Sequence, residues 1–537
     1  MEKQLLTYKA TNQFSNLVLD YLEAKEELRS FYNRPPELGQ VAAQIQEKSK
    51  NYSQESRKRL VDALSAQYRD FTFGALVDER IQAQIHALSS EQAFTVTTGH
   101  QLNLFTGPLY FLYKIFGAIN LAEQYSAQNP DYKFVPVFWM ASEDHDFEEI
   151  SHFRTVDQKI SWEKQAKGPV GRLKCTEMDG VMDALKTLWS GSVIGQWMLD
   201  LFAAIYTPDM TLAAATRKLV HEIIKDYPLL VIDGDDPVLK AGFASIIHSE
   251  LQQSLCSQAI ERTTETLIEA RYHKQVHPRD INLFYCDDGL RERILRTESG
   301  FSVDQTDLSF TNEELLELVN QRPELFSPNA LLRPLYQECV LPNLAYIGGG
   351  AEVAYWLQLK DCFDLCQLTY PMVYLRNSVS LVPSKVHKKL KALNFGLADL
   401  FLPGDELSRL YVTRNSKLKI DFSPQKEYLK KQFAQLYAMA QSTDASFIGA
   451  VGAQEKKQLK GLERLEQRLM RAEKRKHAEE IERLLALRQW LFPDGVLQER
   501  KENMSWGYQH MGAEFLFHLK TQIDPSDHRF TVLIFNS

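Results

Sequence analysis

The sequence has few cysteines, no long hydrophobic run and no excess of positive charge. Its six cysteines in 537 residues include no C-x-x-C pair, which excludes a disulfide scaffold and indicates reduced thiols. No uncharged apolar stretch approaches the roughly 18 residues needed to cross a bilayer, and residues 1–15 do not have a signal-peptide pattern. The 62 Lys and Arg against 70 Asp and Glu disfavour a broad nucleic-acid surface. We expect a cytoplasmic protein that binds neither nucleic acid nor membrane.

Common catalytic motifs are also missing. There is no G-x-S-x-G elbow, no Walker A loop and no H-E-x-x-H zinc motif. Cys362 and Cys366 lie four residues apart on a predicted helix and are interpreted as core residues. Nucleophilic catalysis is therefore poorly supported, and no metal site is assigned.

The composition is that of a folded protein of several units. Hydrophobic residues make up 44% of the chain, charged residues 25% and aromatic residues 11%, close to the averages of globular proteins. At roughly 150 residues per domain, the length predicts three or four structural units.

The order of the predicted elements is that of an α/β fold with a doubly wound parallel sheet. A β-prone run over 94–98, an amphipathic helix after Pro108 and an apolar run over 134–141 form a βαβ unit. Further strands of the same sheet are predicted over 229–233, 281–285, 344–347 and 372–375.

The pattern divides the chain into four regions. We predict an N-terminal helical region over 1–92, an α/β core over 93–422 with an insertion at about 153–208, a helical coiled coil over 423–492, and a C-terminal segment over 493–537. Leucines at 3-4 spacing predict the coiled coil, with a turn at Gly449 and Gly452, although a solvated helix packed on the main body is the alternative. The last strand, 530–535, is expected to rejoin the sheet.

Polar residues follow the predicted strands at the sheet edge where α/β proteins bind ligands. Gly99, His100, Gln101 and Asn103 precede a helix start and could contact a phosphate. A plain strand-to-helix turn explains the same pattern.

An acidic cluster follows the second strand. Glu143, Asp144, His145 and Asp146 could supply a general base, bind an amine or ligate a divalent metal. The alternative is an acidic helix N-terminus that complements the helix dipole.

A glycine-rich turn follows the strand predicted over 344–347. Gly349 and Glu352 could lie against a ligand there, and Arg333, just downstream of Asn329, could bind a carboxylate with two hydrogen bonds. A tight turn into a packed helix is the competing interpretation.

Several sequence blocks, taken together, carry a family resemblance over essentially the whole chain. They are Thr-Gly-His-Gln at 98–101, Leu-Phe-Thr-Gly-Pro-Leu-Tyr at 104–110, Phe-Trp-Met-Ala-Ser-Glu-Asp-His-Asp-Phe at 138–147, Phe-Ser-Pro-Asn at 326–329, Arg-Pro at 333–334, Gly-Gly at 348–349, Glu-Val-Ala-Tyr-Trp at 352–356 and Phe-Pro-Asp-Gly-Val-Leu-Gln-Glu-Arg at 492–500. With these blocks the chain resembles the cysteine ligases of bacillithiol biosynthesis.

The resemblance implies an enzyme that joins the cysteine carboxyl group to the amine of glucosaminyl-malate, the last step of bacillithiol biosynthesis. It also implies a Rossmann-like core with connecting-peptide insertions and a coiled coil that forms a homodimer. ATP or another nucleotide is expected, because amide formation in water needs a driving reaction. The activated form of cysteine and the need for a partner protein stay open.

Residue roles follow from this hypothesis. The catalytic candidates are His100, Asp144 and His145. The substrate-binding candidates are Gly99, Gln101, Asn103, Glu143, Asp146, Asn329, Arg333, Gly349, Glu352 and Arg376, with Arg333 or Arg376 receiving the malate carboxylates. The nucleotide-binding candidates are Ser384, Lys385, Gln498, Arg500 and Asn503.

Two other functions fit parts of the pattern. Glu143, Asp144, His145 and His152 could form the centre of a metal-dependent hydrolase. Alternatively, a non-catalytic nucleotide-binding scaffold could present the coiled coil to a partner. The resemblance to nucleotide-activating synthetases is incomplete, because their His-x-Gly-His loop would align with 97–100, where the first histidine is missing.

Overall fold

The computed structural model describes residues 1–155, 158–443 and 445–536, and the chain divides into two compact units. The first unit comprises Met1–Lys9, Gln13–Ser380 and Gln498–Ser537, and the second comprises Ala10–Asn12 and Leu381–Leu497. The chain therefore leaves the first unit at residue 380, ahead of the coiled-coil boundary predicted at residue 423.

The strands of the described residues are numbered in chain order. They are β1 (Glu2–Thr7), β2 (Ala93–His100), β3 (Lys133–Met140), β4 (His152–Arg154), β5 (Lys159–Ser161), β6 (Leu230–Asp233), β7 (Leu283–Asp287), β8 (Leu290–Thr297), β9 (Gly300–Val303), β10 (Ser309–Phe310), β11 (Phe326–Pro328), β12 (Asn343–Gly348), β13 (Met372–Leu375), β14 (Val379–Pro383) and β15 (Arg529–Phe535).

The α-helices are listed in the same order. They are Tyr8–Thr11, Asn16–Leu22, Val41–Asn51, Gln54–Tyr68, Ala75–Ala87, Tyr110–Gln128, Phe147–Ile150, Asp179–Trp189, Val193–Ile205, Leu212–Ile223, Pro237–Ala241, Ala244–Gln253, Leu255–Glu269, Asn312–Gln321, Arg333–Val340, Gly350–Trp356, Lys360–Leu365, Ser384–Ala392, Gly404–Asn415, Ser423–Ala440, Ala445–Lys476, Ala478–Arg488, Gln498–Lys501, Met504–Met511 and Phe515–Gln522. None of the helices in the described residues combines the length and apolarity that a membrane crossing needs.

The main sheet has the order β13-β12-β2-β3-β6, and every neighbouring pair is parallel. This confirms the doubly wound parallel sheet. All eight residues of β2 are buried, as expected for a strand covered on both faces. From β2 the chain moves outward through β3 to β6, whereas from β12 it moves the other way to β13. The boundary between β2 and β12 is therefore the topological switch point, where such sheets bind their ligands.

The prediction that residues 281–285 join the main sheet is wrong. They overlap β7, which belongs to a separate antiparallel sheet of order β10-β9-β8-β7-β11. The reason is local: only Asp288 and Gly289 separate β7 from β8, and Gly289 has a φ of 69°. An Asp-Gly pair of this kind favours a two-residue hairpin over a crossover to the parallel sheet.

Other segments also differ from the sequence prediction. The N-terminal region is helical apart from β1, which pairs antiparallel with β15. The C-terminal strand therefore does not rejoin the main sheet. Between residues 153 and 208, the described residues supply no strand to the main sheet and form only the small β4–β5 pair and helices.

The second unit contains a hairpin of two long helices, Ser423–Ala440 and Ala445–Lys476. Phe433, Ala440 and Val451 pack together between them. Lys426 pairs with Glu466 at 2.7 Å near the open end. Ala440, at the end of the first helix, packs near Val451, at the start of the second, whereas Lys426, near the start of the first, pairs with Glu466 further along the second. The two helices are therefore antiparallel.

The first helix of the hairpin ends at Ala440 and the second begins at Ala445, so the predicted glycines do not mark the turn. Gly449 and Gly452 are inside the second helix. A Cβ atom at Gly452 would lie 2.9 Å from the Tyr437 hydroxyl. Glycine at this position therefore allows close helix packing and does not mark a turn.

Asn343, at the start of β12, joins β12 to β2 in the core of the main sheet. Its Nδ2 donates to Glu338 Oε1 at 2.7 Å, and its Oδ1 accepts from the Thr97 hydroxyl at 2.8 Å and the Thr95 hydroxyl at 3.2 Å. All of these side chains are buried. We predict that Asn343→Ala lowers the free energy of unfolding by about 2–4 kcal/mol, because it leaves buried polar groups without partners.

Urea unfolding followed by tryptophan fluorescence measures this effect. Gln46→Ala, at an exposed position of the helix Val41–Asn51, is the control and is expected to stay within about 0.5 kcal/mol of the wild type. An Asn343→Ala midpoint equal to that of the control would contradict the assigned role.

Candidate functional site

A cavity of about 460 Å³ opens in the first unit at the carboxyl ends of β2, β3 and β12. Its size is typical of small-molecule sites, and it lies at the switch point of the sheet. The residues predicted from the sequence that line it are Gly99, His100, Gln101, Glu143, Asp144, Asn329, Arg333, Gly349, Glu352, Arg376 and Arg500.

The remaining predicted residues do not line this cavity; they are Asn103, His145, Asp146, Ser384, Lys385, Gln498 and Asn503. Asn103 packs against Gly107, and Asn503 donates to the carbonyls of Phe105 and Gly107, both at 2.7 Å, so both residues shape the loop after β2. Gln498 is buried. Ser384 and Lys385 begin a helix of the second unit.

The floor of the cavity is built around an ion pair between the buried Lys114 and the partly exposed Glu352. Lys114 Nζ lies 2.5 Å from Glu352 Oε2 and donates to the Gly99 carbonyl at 2.8 Å. Burial lowers the pKa of Lys114, whereas the pKa of Glu352 falls to about 2 because Lys114 outweighs the effect of burial. Glu352 is therefore ionised at neutral pH, and Lys114 is its partner.

Glu352 also holds the turn after β12. It accepts hydrogen bonds from the Tyr346 hydroxyl at 2.6 Å and from the Gly349 amide at 2.7 Å. A Cβ atom at Gly348 would lie 2.9 Å from the Cβ of Glu352. Glycine is therefore required where the strand turns into the helix at the cavity wall.

The two catalytic histidine candidates carry the proton of the neutral ring on different nitrogens. His100 Nδ1 lies 2.9 Å from the Gln101 carbonyl, which only accepts, so Nδ1 carries the proton. Burial, aided by Lys114, lowers the pKa of His100 to about 3. The ring is neutral at pH 7, and its Nε2 is an acceptor.

In His145 the Nδ1 atom is a hydrogen-bond acceptor. Its Nδ1 accepts from Arg291 at 2.6 Å, and a guanidinium has only donors, so the proton of the neutral ring lies on Nε2. Burial and Arg291 both lower its pKa. His145 is therefore a hydrogen-bond donor in the neutral state.

The acidic cluster divides into separate roles. Glu143 forms an ion pair with the buried Lys240 at 2.8 Å, while Asp144 accepts from the Gln101 side chain at 2.9 Å. Asp146 caps the next helix by accepting from the Glu149 amide at 3.2 Å. In the described part of the chain, Glu143, Asp144, His145 and His152 do not form a group of metal-ligating atoms.

Asp144 is the carboxylate that remains available at the cavity. Its Oδ1 accepts from the His145 amide at 2.8 Å, and its Oδ2 is held by Gln101. Neither bond comes from a cation, and the side chain lines the cavity. Asp144 can therefore accept a proton or bind an amine.

Arginines dominate the charge of the cavity wall. Arg376 pairs with the buried Glu499 at 2.7 Å, which neutralises its charge. Arg291 donates to the Ser327 hydroxyl, the Pro328 carbonyl and His145, and Arg333 donates to Gln337 and Tyr355, so neither is bonded to a carboxylate.

Arg500 adds a third positive charge. It is exposed, lines the cavity and forms no ion pair with any described carboxylate. With Arg291 and Arg333 it leaves an excess of positive charge in a chain whose net charge is −8. Such a cavity favours a ligand with carboxylate or phosphate groups.

Sequence reasoning missed Lys114 and Arg291. Lys114 lies on the helix Tyr110–Gln128, where most neighbouring residues are apolar and buried. A single lysine within that apolar pattern could have indicated a buried, functional charge. Arg291 reaches the cavity from β8, and its position depends on the hairpin that the sequence did not identify.

Comparison with known proteins covers nearly the whole chain. Residues 1–377 match the family model "Bacillithiol biosynthesis BshC, N-terminal Rossmann-like domain", and residues 379–535 match "Bacillithiol biosynthesis BshC, C-terminal coiled-coil domain". Three similar proteins carry the name "Putative cysteine ligase BshC". They come from Flavobacterium psychrophilum (44% identity, 99% of both chains), Christiangramia forsetii (44%, 100% of this chain and 99% of the relative) and Flavobacterium johnsoniae (43%, 99% and 100%).

The neutral state of His100 can be measured directly. We predict that its ring signals in histidine-labelled protein stay at the neutral position from pH 8 to pH 5, because the folded-state pKa is about 3. His100→Gln assigns the signal by removing it. A titration midpoint near pH 6.5 would contradict the buried, neutral ring.

Proposed function

Since the chain belongs to the BshC family of bacillithiol biosynthesis, we propose that it joins cysteine to glucosaminyl-malate in the last step of that pathway. The new bond is an amide between the cysteine carboxyl carbon and the sugar amine. The observation that carries the substrate assignment is the excess of arginine charge in the cavity. Arg291, Arg333 and Arg500 have no carboxylate bonded to them, and the malate part of the substrate brings two.

Arg333 is proposed as the main contact of the malate carboxylates. Its guanidinium stacks 5.5 Å from the Tyr346 ring centroid and is fixed by Gln337 and Tyr355, which are neutral. The sequence left Arg376 as an equal candidate. The Glu499 pairing of Arg376 makes Arg333 the better choice, because an arginine already neutralised attracts an anion less.

Asp144 is proposed to take the proton that the amine loses. The sugar amine attacks the activated carboxyl carbon of cysteine, the C–N bond forms, and the bond to the activating group breaks. A carboxylate held by Gln101 and the His145 amide is placed to accept that proton. Neutral His100 supplies a hydrogen-bond acceptor to the cavity, while the His145 ring accepts from Arg291 behind it.

ATP or another nucleotide is proposed as the source of activation. The positive charge of Arg291 and Arg500 fits phosphate groups as well as it fits carboxylates. A nucleotide supplies the free energy for amide formation.

A homodimer through the coiled coil is also proposed. Tyr428, Met439, Phe447 and Leu465 of the second unit are large apolar side chains that are exposed. A second copy of the chain could cover them, and the sedimentation coefficient of the purified protein reports whether it does.

Turnover tests the proposed reaction. Purified protein is incubated with glucosaminyl-malate, cysteine and ATP, and products are followed by mass spectrometry. We expect bacillithiol, together with AMP for an adenylate route or ADP for an acyl-phosphate route. Absence of the thiol product, with ligand binding shown in the same preparation, would contradict the proposal.

The proton acceptor is tested by Asp144→Asn. This change keeps the shape of the side chain but removes the basic oxygen, so kcat is expected to fall by roughly 100-fold or more. Glu148→Gln, an exposed amide substitution nearby, is the control and should keep the wild-type kcat. Full activity of Asp144→Asn would remove Asp144 from the mechanism.

The malate contact is tested by Arg333→Met. Loss of a charge-assisted hydrogen bond is expected to raise KM for glucosaminyl-malate by about 10- to 100-fold, with KM for cysteine almost unchanged. Arg322→Met, at an exposed position, should leave both constants unchanged. Equal increases in both KM values would show a general disturbance of the cavity instead.

A further inference from the structure

Three cysteines of the first unit form a cluster that the proposed reaction does not use. The Sγ atoms of Cys256, Cys362 and Cys366 all lie within 4.8 Å of one another. Among the described residues, no other group of three His, Cys, Asp or Glu side chains brings its ligand atoms this close. Cys256 and Cys362 are fully buried, and Cys366 is partly exposed.

The backbone fixes the three thiols in place. Cys362 and Cys366 are four residues apart around the helix Lys360–Leu365, so their side chains share one face, and the Cys366 amide donates to the Cys362 carbonyl at 3.0 Å. Cys256 is the second residue of the helix Leu255–Glu269, and its amide donates to Glu250 Oε2 at 3.0 Å.

The surroundings of the cluster favour a cation. Glu250 is a fully buried carboxyl group beside the cluster, where it accepts from the Cys256 amide at 3.0 Å. Three cysteine sulfurs this close together, with a carboxyl group near them, are a typical ligand set for a borderline-soft metal ion.

We propose that Cys256, Cys362 and Cys366 bind one Zn²⁺ ion. Zinc–sulfur bonds of about 2.3 Å place tetrahedral sulfurs about 3.8 Å apart, so the three Sγ atoms need only a small contraction. Three Zn–S bonds form as three S–H protons are released, and no atom is oxidised or reduced. The partly exposed Cys366 provides the entry, and water completes the coordination.

The zinc ion would brace the wall of the cavity. It ties the helix Leu255–Glu269 to the helix Lys360–Leu365. Glu250, which holds the Cys256 amide, also accepts from the Asn282 side chain at 2.8 Å, and Asn282 in turn accepts from the Asn329 side chain at 2.8 Å. Asn329 lines the cavity, so three consecutive hydrogen bonds connect the cluster to the site.

The metal content of the full-length protein tests the proposal. Protein produced with zinc and purified without chelator is expected to contain about one zinc per chain by plasma mass spectrometry. Cys362→Ser and Cys366→Ser are expected to lose nearly all of it, whereas Cys175→Ser, a buried cysteine elsewhere in the first unit, should retain it.

A second measurement does not depend on the folding of the variants. Wild-type protein, reduced, stripped of metal and titrated with Co²⁺, is expected to show a thiolate-to-cobalt charge-transfer band that saturates at one equivalent. Zinc is expected to displace the cobalt and to raise the melting temperature of the stripped protein. A wild-type protein without zinc and without the cobalt band, or a Cys362→Ser variant that keeps its zinc, would overturn the proposal.

Discussion

The ion pair between the buried Lys114 and Glu352 is the interaction on which the site depends. Lys114 comes from the helix that follows β2, and Glu352 from the helix that follows β12, so the pair crosses the switch point of the main sheet. Removing Glu352 would leave the charge of the buried Lys114 without its partner, a cost of about 3–5 kcal/mol. The Glu352 carboxylate also accepts hydrogen bonds from the Tyr346 hydroxyl and the Gly349 amide. Loss of the ion pair would therefore also change the shape of the cavity wall.

The net charge of the cavity depends on which of its lysine and arginine side chains form ion pairs with carboxylates of the protein. Glu352 neutralises Lys114, Glu499 neutralises Arg376, and Glu143 pairs with Lys240. Arg291, Arg333 and Arg500 are left without a bonded carboxylate, and they set the charge that a ligand must carry. The two histidines add no charge at neutral pH, since burial lowers the pKa of each. Fixed positive charge and neutral donors and acceptors together suit an anionic substrate whose amine must lose a proton.

Local sequence patterns predicted the parts of the fold that depend on local structure. The apolar runs of β2, β3, β6, β12 and β13 identified the parallel sheet, and the polar residues after them identified Gly99, Asp144 and Glu352 as cavity residues. The features that the sequence did not predict depend on contacts between residues that are distant in sequence. The sequence does not show that Arg291 reaches His145 across 146 positions, or that Asn503 folds back onto the loop after β2. Cys256, the third member of the thiol cluster, is 106 residues from Cys362 in the sequence. The helical spacing of Cys362 and Cys366 alone therefore predicted an ordinary pair of core residues.

We propose that the substrate binds in the cavity of the first unit, at the carboxyl ends of β2 and β12. Hydrogen–deuterium exchange of the full-length protein, with and without saturating glucosaminyl-malate, tests this placement most directly. We expect slower exchange in peptides that contain residues 99–101, 329–333 and 349–352, with no change over 423–476. Protection confined to the coiled-coil helices, in protein that forms the thiol product, would contradict it.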